Sequence, residues 1–133
     1  MLLKMILKKL LGSEQNSCNN CNDVIVHPLC PFCVSLQMKA WLTYHPSLNN
    51  RLFPNIQEYL NKIKDKFENH GTNCIKCMDK KASICPGCFT ENIFRKLRGM
   101  NTKKSILQEY YDFFNYDLDR TKYTDEAEQL GLL

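Results

Sequence analysis

CIKCMDKKASICPGCFTENIF, residues 74–94, sets four cysteines within fifteen residues and then runs into a helical pattern. CNNCNDVIVHPLCPFCVSLQM, residues 18–38, does nearly the same earlier in the chain. The eight cysteines form four Cys-x-x-Cys pairs: Cys18/Cys21, Cys30/Cys33, Cys74/Cys77 and Cys85/Cys88. The gaps inside the two quartets are eight and seven residues, and both quartets end in Cys-Pro-x-Cys. A Cys-x-x-Cys turn brings two sulfurs to one ion while backbone amides point at them. Two such turns complete a tetrahedral four-thiolate set, which zinc favours. A dithiol redox site needs only one pair, whereas every pair here has a second within reach.

The chain repeats beyond the cysteines. Val34, Ser35, Met38 and Leu42 align with Phe89, Thr90, Ile93 and Leu97, and IQEYL at 56–60 aligns with LQEYY at 107–111. The expected fold class is therefore mostly α with small β-hairpin zinc knuckles, arranged as two tandem knuckle-plus-helical-hairpin repeats. The boundaries read as an N-terminal amphipathic helix at 1–17, a first repeat at 18–73, a second at 74–116 and an acidic tail at 117–133. Ser35 and Thr90 are placed to cap the helices that follow the knuckles. Pro54 suits a helix start, and Ile56, Tyr59, Leu60, Ile63 and Phe67 then share a face. HPSLNNRLFP and RGMNTKK read as the helix-to-helix connections. Trp41, Tyr59, Tyr110 and Tyr111 fall at helical spacing and read as core.

The spacing leaves the pairing of the cysteines open. The reading it favours gives each quartet its own ion. The alternative is a cross-brace, with pairs one and three on one ion and pairs two and four on the other. Either way the expectation is two zinc ions per chain on Cys18, Cys21, Cys30, Cys33, Cys74, Cys77, Cys85 and Cys88. Four cysteines close the coordination shell, so no position remains for substrate. His27, His45 and His70 read as ordinary residues rather than ligands. No phosphate loop or serine–histidine motif is present. The expectation is no enzyme and no small-molecule substrate.

These pairs resemble the zinc-ribbon and rubredoxin-like class of four-cysteine knuckles, over roughly fifteen residues of each copy. That resemblance implies a four-thiolate site and is nearly silent on function. Rubredoxin-like iron sites usually follow each pair with glycine, whereas Asn22, Val34, Met78 and Phe89 stand there. The run CPGCFTENIF, with FFNYDLDRTKYTDEAEQLGLL downstream, also looks like a group of small, uncharacterised archaeal zinc-binding proteins, and brings no activity with it.

Hydrophobic residues make up 44% of the 133, enough for a packed core. Lys4, Lys8 and Lys9 interrupt the apolar N-terminus, which lacks the unbroken run of a signal peptide or a spanning helix. The expected location is cytoplasmic, where structural disulfides are rare. Leu2, Leu3, Ile6, Leu7, Leu10 and Leu11 make one face of that segment, suited first to covering the core, then to a partner groove; membrane contact ranks last. The formal charge is +4, and two divalent ions on eight thiolates cancel it. The distribution is uneven: Lys76, Lys80, Lys81, Arg95, Lys96, Arg98, Lys103 and Lys104 are followed by an acid-rich C-terminal stretch. Those eight residues are the candidate nucleic-acid face, against the plainer reading of a solvated surface. The sequence therefore points to a zinc-stabilised module binding protein or nucleic acid. The alternatives are a purely protein-binding adaptor or structural subunit, and a rubredoxin-like iron electron carrier.

Overall fold

The computed structural model describes residues 17–22, 25, 28–67, 73–78, 82–115 and 124–132. Five helices lie among them: α1 (Pro31–Leu42), α2 (Pro46–Phe67), α3 (Pro86–Arg98), α4 (Lys104–Phe114) and α5 (Thr124–Gln129). The expected β-hairpin knuckles are not there. Among the described residues no strand forms, and only Ser17 and Ala82 make isolated bridges. The reason is local: each Cys-Pro-x-Cys has become the first turn of a helix. The segment expected as an amphipathic helix at 1–17 lies, apart from Ser17, outside the described residues.

Helices α1 and α3 start alike. Cys30 and Cys85 are the N-caps, with extended backbone (φ −72°, ψ 154° and φ −68°, ψ 152°), and Pro31 and Pro86 occupy the first helical position. Proline suits that place because its missing N–H has no intrahelical partner there. The cap acceptor is sulfur: Cys33 N–H donates to Cys30 Sγ and Cys88 N–H to Cys85 Sγ, both at 3.4 Å. Ser35 and Thr90, expected as caps, lie inside the helices. Their hydroxyls donate back to carbonyls of the preceding turn, Ser35 to Phe32 and Thr90 to Pro86 and Gly87.

Helix α2 is longer than its sequence suggested. It starts at Pro46, so most of HPSLNNRLFP is helix rather than connection, and Pro54 lies inside it. Leu48, Leu52, Ile56, Leu60 and Ile63 explain this. They continue one stripe through the proline, and all are buried. An interior proline costs about 3 kcal/mol, and burying each large aliphatic side chain returns about 1.5–3 kcal/mol. Pro54 itself faces solvent, where water can serve the carbonyl it leaves unpaired.

The helices pack as two hairpins, α1 with α2 and α3 with α4, and α3 also meets α1 and α2. The centre is aromatic. Tyr110 is fully buried, donates to the Thr90 carbonyl at 2.7 Å, and stacks with Phe114 at 5.0 Å between centroids. Trp41 meets the edges of Tyr110 and Phe114 at 5.7 and 5.8 Å. Trp41, Tyr110 and Tyr111 are thus core, as read from their spacing, and Tyr59 packs against it. Helix α5 is fixed by buried Ala127 and by ion pairs from Glu126 to Arg95 and Arg98.

Candidate metal centres

The eight cysteines gather into two groups of four, and the grouping differs from both readings of the sequence. Cys18, Cys21, Cys85 and Cys88 form one set, and Cys30, Cys33, Cys74 and Cys77 the other, with all sulfurs of a set within 4.8 Å of one another. The first pair therefore joins the fourth and the second joins the third. Neither each quartet alone nor the one-with-three cross-brace is found.

Backbone pairing between distant segments imposes this arrangement. Asn19 N–H donates to the Ser83 carbonyl at 2.8 Å, and Ile75 N–H to the Pro28 carbonyl at 2.7 Å. Each bond lays a Cys-x-x-Cys turn beside the residues that lead into the other half's Cys-Pro-x-Cys helix. The caps complete it: Cys85 N–H donates to Cys18 Sγ at 3.2 Å, and Cys30 N–H to Cys74 Sγ at 3.3 Å. With its amides committed to the far segment, neither turn closes on its sequence neighbour.

The two turns match bond for bond. Asn22 N–H donates to the Cys18 carbonyl and Met78 N–H to the Cys74 carbonyl, both at 2.9 Å. Asn20 and Lys76 amides reach Cys18 Sγ and Cys74 Sγ, both at 3.4 Å. Asn22 and Met78 have φ of 64° and 65°, the left-handed region where glycine is the usual occupant and methionine is strained. The position that glycine fills in rubredoxin-like knuckles is therefore reached here without glycine.

The geometry suits a metal and not a disulfide. A tetrahedron with four arms of about 2.3 Å has edges of about 3.8 Å. The sulfur–sulfur distances are 3.9 Å for Cys21–Cys85, 3.8 Å for Cys30–Cys77 and 3.7 Å for Cys33–Cys74. A disulfide would need about 2.05 Å, and all eight thiols are free.

The electrostatics ask for a cation. In the first set, hydrogen bonds from Cys85 and Cys88 hold Cys18 far below the ordinary thiol range. The reciprocal bonds to Cys18 push Cys85 up and raise Cys88 to about 11. In the second set, burial raises Cys30 and Cys33. Burial would raise Cys74 too, but the backbone amides of Cys30, Cys77 and Lys76 outweigh it and bring Cys74 to about 6. Like charges this close cannot all ionise unaided. A divalent ion would supply the missing charge, and the positive ends of α1 and α3 would add to it.

The surroundings of the two sets differ. Cys18 and Cys88 belong to the main hydrophobic core, and Cys21 and Cys85 pack against it. Tyr59 covers that side: its ring lies 5.5 Å from Phe89, and burial followed by the nearby Cys88 charge raises its hydroxyl to about 12. Cys30, Cys33 and Cys74 form a separate small cluster with Ala82, against which Leu29 and Phe32 pack among the described residues. Cys77 is exposed.

The expected nucleic-acid residues are only partly gathered. Arg95 pairs with Glu91 at 3.1 Å and with Glu126 at 3.7 Å, and Arg98 pairs with Glu126. Lys76, Lys103 and Lys104 are exposed and Lys96 is half-buried, while Lys80 and Lys81 lie outside the described residues. Of the histidines, His45 bonds Glu109 at 3.0 Å, and His27 and His70 lie outside the described residues. Sequence reasoning missed an aromatic cleft of about 490 Å³ between the end of α1 and α4, walled by Trp41, Tyr44, Glu109, Phe113 and Phe114. No periodicity announced it, because Tyr44 is in a turn and Phe113 reads as part of a core stripe.

No helix among the described residues is long and apolar enough to cross a membrane. Compared with models of known families, with curated proteins and with solved structures, the chain matches none.

Proposed function

We propose that this chain is a zinc-stabilised binding module, with two structural four-cysteine centres that clasp a pair of helical hairpins together. The observation that carries the reading is the sulfur geometry: two sets of four sulfurs lie within 4.8 Å of one another, and three contacts across the halves, at 3.7–3.9 Å, match the edge of a zinc–thiolate tetrahedron. Each shell is closed by four protein ligands, so the module binds rather than catalyses. The matched bonds of the two turns and the two caps support reading the chain as a tandem repeat whose halves exchange knuckles.

The partner reading that the surface supports best is a protein. Tyr44 is 81% exposed and Phe113 65% exposed at the rim of the aromatic cleft. Large aromatics in a half-open cleft are the usual anchors of protein interfaces. Hydrogen bonds from His45 and then Trp41 hold the Glu109 carboxyl below its ordinary value, so the charged group on the cleft wall is a carboxylate and not a phosphate-binding cation. The nucleic-acid reading would use the basic stretch, where Arg95 and Arg98 are already answered by Glu91 and Glu126.

Native mass spectrometry of protein purified without chelator tests the metal: two zinc ions per chain are expected, and a metal-free chain would end the reading. Iron in place of zinc would give red protein and return the electron-carrier alternative. Titrating single- and double-stranded oligonucleotides at low and high salt tests the partner class. A steep salt dependence, lost on changing Arg95, Lys96 and Arg98 together to Glu, would favour nucleic acid over protein.

A further inference from the structure

We propose that the two centres have different duties: the Cys30, Cys33, Cys74 and Cys77 centre is the exchangeable one, and Cys77 is the sulfur at which soft metal ions and soft electrophiles enter. This rests on the metal reading above.

The matched turns serve as an internal control. Cys21 and Cys77 hold equivalent positions, the second cysteine of turns whose first cysteine receives matching amide bonds at nearly equal lengths, two on its sulfur and one on its carbonyl. Differences in hydrogen bonding around those turns therefore cannot separate the two centres. Cover can. The Cys18 centre is built into the main core, with Tyr59 and Phe89 beside it. Among the described residues, the Cys30 centre has Leu29, Phe32 and Ala82 around it. In its 74–78 turn Ile75 is 63% and Met78 71% exposed, and Cys77 is an exposed residue whose sulfur is partly covered by the other three.

Exchange at a closed four-thiolate shell needs an incoming ion or reagent to reach a sulfur before a ligand leaves. Reactivity at a metal-held thiolate accordingly follows access. At Cys18, Cys30, Cys33, Cys74 and Cys88 the thiol is buried, and at Cys21 and Cys85 it is half-buried. Iodoacetamide makes the step explicit. A lone pair of the Cys77 thiolate forms a bond to the reagent's methylene carbon, the carbon–iodine bond breaks, and iodide leaves with the electron pair. The thioether that results is neutral and a poor ligand. The ion is then held by three sulfurs and passes to a chelator.

The test uses the full chain loaded with zinc, its two ions counted by native mass spectrometry before any reagent is added. Iodoacetamide is then applied with a chromogenic zinc chelator present, and alkylation is mapped by peptide mass spectrometry. The expected result is release in two phases, one ion at least tenfold faster than the other, with Cys77 modified first. Cadmium ions alone, added at one equivalent to a second sample, are expected to give one dominant cadmium-113 resonance. Cys21→Ser and Cys77→Ser are each expected to load a single ion, which iodoacetamide releases in the fast phase from Cys21→Ser and in the slow phase from Cys77→Ser. Release in a single phase, labelling of Cys21 at or before Cys77, or even division of cadmium between the centres would overturn the proposal. A chain that carries no zinc at the outset overturns the metal reading and this one with it, and is recognised by the initial count.

Discussion

The pairing of the cysteines can be decided by three double variants, because each possible arrangement spares a different one. If pairs one and four share an ion, Cys18→Ser with Cys85→Ser damages one centre only, and the chain keeps one zinc. Cys18→Ser with Cys30→Ser would keep one only if each quartet held its own ion. Cys18→Ser with Cys74→Ser would keep one only in the one-with-three cross-brace. The stability cost also follows from the arrangement. Cys21 and Cys85 are separated by 64 residues and Cys33 and Cys74 by 41. Treating each ion as a cross-link, loops of these lengths restrict the unfolded chain by about 4 kcal/mol each. A sequential centre would close only the nine-residue step from Cys21 to Cys30, which gives about 2.5 kcal/mol on the same relation. Against a total of about 5–15 kcal/mol for a domain, losing either long-range clasp removes a large share. The assay is zinc counting by native mass spectrometry, with thermal melting beside it. Cys18→Ser, Cys85→Ser and their double are expected to hold one zinc each and to melt alike, as members of one unit do. A Cys18/Cys85 double that holds no zinc, or a Cys18/Cys30 double that holds one, would refute the nested arrangement.

Stripping both ions with a strong chelator is expected to abolish the cooperative melt while much of the far-ultraviolet helical signal survives, since structural sites contribute about 10–16 kcal/mol near neutral pH; an unchanged sharp melt would show that the metal is dispensable. Met78→Gly is expected to raise stability by about 1 kcal/mol, because the left-handed backbone costs a non-glycine residue about 1–2 kcal/mol. Asn22→Gly should gain less, since asparagine tolerates that region, and denaturant melts of the loaded variants compare them. Filling both centres at pH 7 is expected to release at least four protons per chain, from Cys30, Cys33, Cys85 and Cys88, whose thiols the gathered geometry pushes above their ordinary values. The sign follows: binding strengthens as pH rises and weakens as it falls, because each of these thiols must lose a proton to become a ligand. Calorimetry in buffers of different ionisation enthalpy measures the count, and a heat independent of buffer would contradict it.

The local chemistry was legible in the sequence and the long-range pairing was not. Cys-x-x-Cys spacing revealed all eight gathered sulfurs, and the 3.6-residue pattern placed Trp41, Tyr110 and Tyr111 in the core. The helix starts were misplaced by a preference. Serine and threonine are the common N-caps, so Ser35 and Thr90 drew attention from the Cys-Pro steps, where a sulfur caps and the proline takes the first helical position. The proline rule erred the other way at Pro54, which reads as a start until Leu48 and Leu52 are seen to continue the stripe of Ile56. Pairing failed for a different reason. Eight or seven residues are enough for a local hairpin, and nothing in the spacing records that the amides of Asn19 and Ile75 find carbonyls in the other half.

That exchange explains why a protein with a sizeable apolar core still carries two clasps. Each helical hairpin is held by contacts between neighbours in sequence, and α3 touches both helices of the other hairpin, but helices packed on side chains alone can slide. Each centre takes two sulfurs from one half's turn and two from the first turn of the other half's helix. An ion in each set would therefore fix where α1 and α3 begin relative to each other. The cleft walled by Trp41 and Tyr44 lies at the far end of α1, one helix length from the Cys30 centre. Loosening that exposed centre would free the start of α1 while the Cys18 centre still holds α3 in the core. Unequal cover around two alike sets of thiols thus leaves one junction of the halves packed into the main core and the other beside exposed turn residues.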